Sequence, residues 1–466
     1  MTRNFRLLAL APLLAGCLDL APAYHRPPAL APPTVANSFG GAPEANTRLE
    51  SWRVFFADKR LRQVIELGLT HNLDLPAAVA NVEIARAEWL SQRSQLFPSL
   101  NGQASATGTQ EPASVVGLPS VSGAYTERVY AAELAVPSYE ADLFGRVRNL
   151  TKQAQEQYFA NEAARDAAQI SVVGQIAQAW LTIGSDRSLA RIAGDTLAEA
   201  SDSLALTQAM LDHGEAAESD VARARGLVAQ ARYDVARYST QIAQDKDALD
   251  LLAGAPVDDD LLPTSVDDAR VMGELPTDVA SSVLLERPDV LEAEDQLKAA
   301  NANIGAARAA FFPDISLTGS GGVTSTALSS LFSPGSGTWS YAAQLTQPIF
   351  DAGRNRAGLA QAKAQRDLAR ANYEKAIQTA FRETADALAQ RAQIDAELTA
   401  QEAQVAADAE AVGLIQARYS HGTASELDVL TSEAAFYTAQ EALTGVRLLK
   451  TTNLVALYQA LGGGLS

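Results

Sequence analysis

The chain has 466 residues, 47% of them hydrophobic, 20% charged and 6% aromatic, with a formal net charge of −18. The length allows two or three ordinary domains, and so acidic a chain is excluded from nucleic-acid binding, which needs clustered Lys and Arg. One Cys excludes an intrachain disulfide, while three scattered Met and four scattered His offer no metal-ligand cluster.

No Gly-rich phosphate loop, nucleophile elbow or His-centred triad is present, so the sequence points to no enzyme and no cofactor. No apolar run approaches transmembrane-helix length. The acidity has a plain reading as a solvated surface and a sharper one as the wall of a cation-favouring conduit.

Residues 1–16 read as a signal peptide. Arg3 and Arg6 start it, Leu7 to Leu14 form a short apolar core, and Ala15 and Gly16 close it. Leu14-Ala15-Gly16-Cys17 has the form of a bacterial lipobox, which makes Cys17 the lipid attachment point, and Leu18 after it points to the outer membrane. Residues 17–59 then read as a lipidated tether, with a Pro/Ala stretch reaching Pro33.

A helix-like lead-in covers 60–97 and ends at Leu96-Phe97-Pro98. Strand-like stretches follow at Leu100–Ala106 and Tyr130–Val136. In the second, Tyr130, Ala132, Leu134 and Val136 alternate with Ala131, Glu133 and Ala135, and Pro137 closes the run. About 146–211 comes next, with no proline and with Ala190, Leu197, Leu204 and Leu211 spaced by sevens as a core-packing stripe. At 1.5 Å per residue such a helix is roughly 100 Å long, which suits crossing an aqueous compartment. The turn Asp212-His213-Gly214-Glu215 and a second long helix complete a unit over 60–256; 257–287 reads as a linker.

The plan repeats over 288–466. Gly145-Arg146 returns as Gly353-Arg354, His213-Gly214 as His421-Gly422, Asp220-Val221 as Asp428-Val429, and Gly254 as Gly462, all at one offset of 208. The second lead-in covers 288–311, and its strand stretches are Ile315–Thr318 and Tyr341–Thr346, the latter closing before Pro348. The stripe returns as Leu398, Val405, Val412 and Tyr419. Period-two patterning with one polar face fits transmembrane β-strands. Four strands cannot close a barrel alone, because an open edge is not tolerated in lipid. A soluble sheet capping the helices is the alternative.

Particular runs now resemble the TolC-type outer-membrane efflux lipoproteins over essentially the whole chain. They are Tyr24-His25-Arg26-Pro27, Asn72-Leu73-Asp74-Leu75, Ser138 to Arg146, and Leu284-Leu285-Glu286-Arg287-Pro288-Asp289-Val290 continuing to Phe311-Phe312-Pro313. The resemblance implies a mainly α fold with a β-barrel part: a homotrimer whose twelve strands form one outer-membrane barrel, continued by a long periplasmic α-helical coiled-coil barrel. It implies three further partners: a periplasmic adaptor, an inner-membrane pump of the resistance-nodulation-division type, and outer-membrane lipid. It also implies a passive exit duct for drugs or other small toxic compounds.

By the same resemblance the two turns are the periplasmic tips, His213, Gly214, His421 and Gly422 meet the adaptor, and Arg418-Tyr419 forms a constriction with Asp212, Glu218, Asp220, Glu426 and Asp428 around it. Thr431 stands where many relatives carry an acid, leaving Asp428 or Asp220 as the partner of Arg418. A protein-secretion duct of the type I kind and a pore-less structural coiled-coil lipoprotein are the competing readings.

Overall fold

A computed structural model describes residues 19–28, 34–35, 51–112, 124–268 and 279–464. The signal peptide, Cys17 and Leu18 lie outside them. In chain order the elements are β1 (Thr34–Val35), α1 (Trp52–Phe55), α2 (Lys59–His71), α3 (Asp74–Ser94), β2 (Asn101–Pro112), β3 (Ala124–Glu140), α4 (Arg146–Asp212) and α5 (Glu218–Ala253). There follow β4 (Val279–Ala280), α6 (Ser281–Leu284), α7 (Pro288–Ala309), β5 (Asp314–Ser325), β6 (Gly337–Thr346), α8 (Arg354–Ser420) and α9 (Glu426–Ala460).

The offset of 208 is written into the backbone. Gly145 and Gly353, Gly214 and Gly422, and Gly254 and Gly462 all take positive φ, a conformation that costs residues with a Cβ and not glycine. The helices α4 and α8 each run 67 residues.

The chain divides into two compact units that cut across the sequence repeats. One comprises Met1–Pro27, Val82–Asn161 and Ala293–Tyr373; the other comprises Pro28–Asn81, Glu162–Glu292 and Glu374–Ser466.

The first unit carries an antiparallel sheet in the order β2-β3-β5-β6, with β2 and β6 as open edges. Its register sorts side chains onto two faces. Residues paired across the strands as Gln103, Glu133, Gly322 and Thr338 share one face with Ser105, Thr324, Ser320, Ser340 and Gln344. The other face holds Ala104, Ala132, Leu134, Leu317, Trp339, Tyr341 and Leu345. Leu134, Leu317, Trp339, Tyr341 and Leu345 are all exposed there, and the rings of Trp339 and Tyr341 stack 5.9 Å apart. In water such a face costs free energy at every large side chain.

The strands exceed the stretches read from alternation. Pro137 does not end β3: the strand continues to Glu140 through a bulge between Val136 and Tyr139, which accommodates a residue lacking an N–H donor. The lead-in read as one helix over 60–97 is two, broken at Asn72. Its side chain accepts from the Asp74 N–H at 2.8 Å and donates to the Leu252 carbonyl at 2.9 Å, starting α3 afresh.

Tether residues 19–27 are docked on this unit as well as extended. Asp19 accepts from Asn149 at 2.9 Å, Arg308 donates to the Leu20 carbonyl at 2.9 Å, and Asn301 donates to the Pro22 carbonyl at 2.8 Å. Glu294 then takes both Tyr24 at 3.1 Å and Arg26 at 2.6 Å.

The second unit is centred on large, fully buried side chains: Trp52, Phe56, Leu61, Ile176, Trp180 and Tyr458. Tyr458 stacks on Phe55 at 4.5 Å, and Trp180 donates to the Leu261 carbonyl at 2.8 Å. Side chains buried this fully contribute roughly 1.5–3 kcal/mol each. Farther along α4 the Leu stripe is half-buried, and the deep positions are Ala193, Ala200 and Thr207, three residues on from Ala190, Leu197 and Leu204. Small residues take the seam and Leu sits astride it, completing the three-and-four spacing of a coiled coil.

Candidate gate at the helix turns

The two turns of the second unit close alike. At the first, Gly214 N–H donates to the Leu211 carbonyl at 2.9 Å and Glu215 N–H to that of Met210 at 2.8 Å. At the second, Gly422 donates to Tyr419 at 2.9 Å and Thr423 to Arg418 at 2.8 Å. Each is a Schellman cap, in which a left-handed residue lets the chain satisfy the last carbonyls of the helix. A Cβ at Gly214 or Gly422 would meet nothing within 4 Å, so φ of +77° and +71° is the whole reason for glycine.

The helices leaving the turns begin on carboxylates. Asp428 accepts from the Ser425 N–H at 2.9 Å and its hydroxyl at 2.8 Å, and these bonds hold its carboxyl below the usual range. Ala217 replaces Ser425 in the first tip. Only half of that box can form there: Asp220 accepts from the Ala217 N–H at 3.1 Å and pairs with Arg223 at 2.9 Å.

Beyond the caps the tips differ. Glu218 is exposed, while its counterpart Glu426 is 8% exposed. Glu426 accepts from Thr207 Oγ1 of α4 and from the Tyr419 hydroxyl of α8, both at 2.5 Å. One buried carboxylate thus ties three helices. Burial first, then the bond to Glu426, raises the pKa of the Tyr419 phenol, so it stays a donor. Its oxygen also lies 3.3 Å from Met210 Sδ.

Of the residues singled out in the sequence, Tyr419 enters this tie. Arg418 is exposed and donates to the Thr423 carbonyl at 3.2 Å, and neither Asp428 nor Asp220 lies within ion-pair distance of it. Asp212 accepts from Gln208 of its own helix at 3.2 Å. His213 and His421 are exposed beside their glycines. Glu426 was one of several carboxylates placed near the constriction from sequence, and Thr207 was not assigned to it. The available signal was Thr207, a polar residue on the seven-residue seam that Ala193 and Ala200 occupy.

Among the described residues no group of three or more His, Cys, Asp and Glu could hold a metal ion, and no helix is long and apolar enough to cross a membrane. A sheet with one apolar and one polar face, joined in sequence to paired long helices with tied turns, defines the class of outer-membrane channel proteins. The chain belongs to the outer membrane efflux protein family, whose sequence profile matches residues 64–255 and 279–463.

The probable efflux pump outer membrane protein TtgC of Pseudomonas putida is 40% identical over 468 residues, covering 100% of this chain and 96% of the relative. A membrane protein of Pseudomonas aeruginosa of known crystal structure is 38% identical, with a TM-score of 0.88 over 96% of this chain and 98% of its own. The open-state MtrE outer membrane channel of Neisseria gonorrhoeae is 35% identical, with a TM-score of 0.79 over 96% and 99%. The chain is an outer-membrane efflux protein, in a family of channels and not of enzymes.

Proposed function

We propose that three copies of this chain pool their sheets into a twelve-stranded barrel, and that the trimer is the passive exit duct of a tripartite efflux system. The carrying observation is the four-stranded sheet with two open edges and exposed Leu134, Trp339, Tyr341 and Leu345 on one face. Lipid covers that face, the hydroxyl-rich face lines the lumen, and each open edge pairs with a neighbour's. The half-buried Leu stripe of α4 and its counterpart on α8 pack between protomers in the helical part.

An inner-membrane pump supplies the energy and a periplasmic adaptor meets the tips at His213, Gly214, His421 and Gly422. The relatives' names, which speak of efflux pumps, support this division of labour. The Thr207–Glu426–Tyr419 tie holds the tip shut, with Arg418, Asp212, Asp220 and Asp428 forming its charged rim. Cys17 carries the acyl chains, and Glu294 clamps the tether downstream of it.

Susceptibility profiling of a deletion strain tests the cargo class. Increased sensitivity to drugs or solvents with an unchanged set of secreted proteins is expected. Unchanged susceptibility together with loss of a secreted protein would assign the duct to protein secretion instead.

A further inference from the structure

The four long helices α4, α5, α8 and α9 line an open cavity of about 770 Å³ in the second unit. Its volume lies within the range of small-molecule sites. Phe436, Leu227, Ile192 and Val412 supply apolar wall, and carboxylates enter from three of the helices.

Two of those carboxylates are neutralised inside the wall. Asp234, 3% exposed, accepts from Gln230 at 3.1 Å and lies 3.7 Å from Arg237; Glu441 takes the Tyr238 hydroxyl at 2.5 Å and lies 3.8 Å from the same Arg237. Glu199 and Glu433 are different. Neither has an ion-pair partner among the described residues, and Glu433 has only the Gln416 amide at 3.0 Å. Burial raises the pKa of Glu433, and the negative charges of Glu199 and Glu426 add to the rise against Gln416's opposing bond.

Tyr437 also lines the cavity, with its hydroxyl oxygen buried in the wall beside Glu441, whose Oε1 accepts from Tyr238.

We propose that this cavity is a binding site for a lipophilic organic cation. The cation's charge sits between Glu199 and Glu433, and its apolar groups lie against Phe436 and Leu227. The wall of the helical part thereby retains a ligand, which a purely passive duct does not require.

Equilibrium dialysis of the full-length purified trimer against tetraphenylphosphonium, with tetraphenylborate as its charge-reversed shape-mate, tests the assignment. Saturable binding of the cation alone is expected, weakened roughly tenfold by Glu433→Gln or Glu199→Gln. Asp258→Asn, at an exposed carboxylate outside the cavity, leaves it unchanged. Leu227→Trp fills the space without touching a charge and abolishes binding, with circular dichroism confirming the fold of each variant. Equal binding of the two ions, no saturable binding, or a cation affinity indifferent to both Gln variants would overturn the proposal.

Discussion

Glu426 accepts hydrogen bonds from two other helices while almost shut off from solvent. Removing one donor from such a group leaves a buried oxygen short of a partner, at a cost of about 1–3 kcal/mol. Tyr419→Phe therefore loosens the second tip, and bilayer recordings should show it conducting more than wild type. Arg418→Ala loses one exposed bond to a backbone carbonyl, a change within about 0.5 kcal/mol, and should conduct less than Tyr419→Phe. Arg418 exceeding Tyr419 would put the closure on the charged rim.

A second residue-scale prediction concerns pH. Asp186 is 8% exposed; burial first, then Asp245, pushes its pKa up to about 7, against a weaker opposing pull from Arg237. An acid raised in the fold above its unfolded value near 3.8 keeps its proton longer when folded. The folded state then binds more protons between these values, so stability falls as pH rises from about 4 to about 7 and levels off above. Asp186→Asn removes that loss. Its melting temperature should exceed wild type at pH 8 and approach it at pH 4, and parallel pH profiles would rule the Asp186–Asp245 contact out as the cause.

Among the elements, the strands show what patterning conveys and what it leaves out. Tyr130, Ala132 and Leu134 do share a face, as do Tyr341, Ala343 and Leu345, because alternation reports side-chain direction directly. Strand length was hidden, since Gly, Ser and Thr around Gly319–Ser325 resemble loop composition while serving a polar sheet face. Pro137 misled for a local reason: the bulge removed the need for its missing donor. The break at Asn72 was missed, although Asn-x-Asp with Pro76 two residues on is a helix-start pattern. The tie at Glu426 was not legible, because burial of a carboxylate depends on which helices converge over it.

The seam between β3 and β5 carries an element-scale prediction. A Cβ on Gly322 would lie 2.2 Å from the Ala132 carbonyl oxygen, so Gly322→Ala forces the strands apart. Loss of heat-resistant trimer on a denaturing gel is expected. Gly422→Ala, strained only by its φ, should cost about 1 kcal/mol and keep the trimer. Equal behaviour of the two would mean that close backbone approach does not govern the sheet.

For the whole molecule, the exposed apolar face and two open edges of one sheet support the proposed closed assembly in lipid. In the proposed barrel the lumen receives Glu133, Gln103 and the hydroxyl side chains of the polar sheet face. A lumen lined by carboxylates favours cations. The most direct test is planar-bilayer recording of the purified full-length protein under a salt gradient. Discrete, non-rectifying current steps with a reversal potential on the cation side are expected. Membrane association without any steps would contradict the proposed duct.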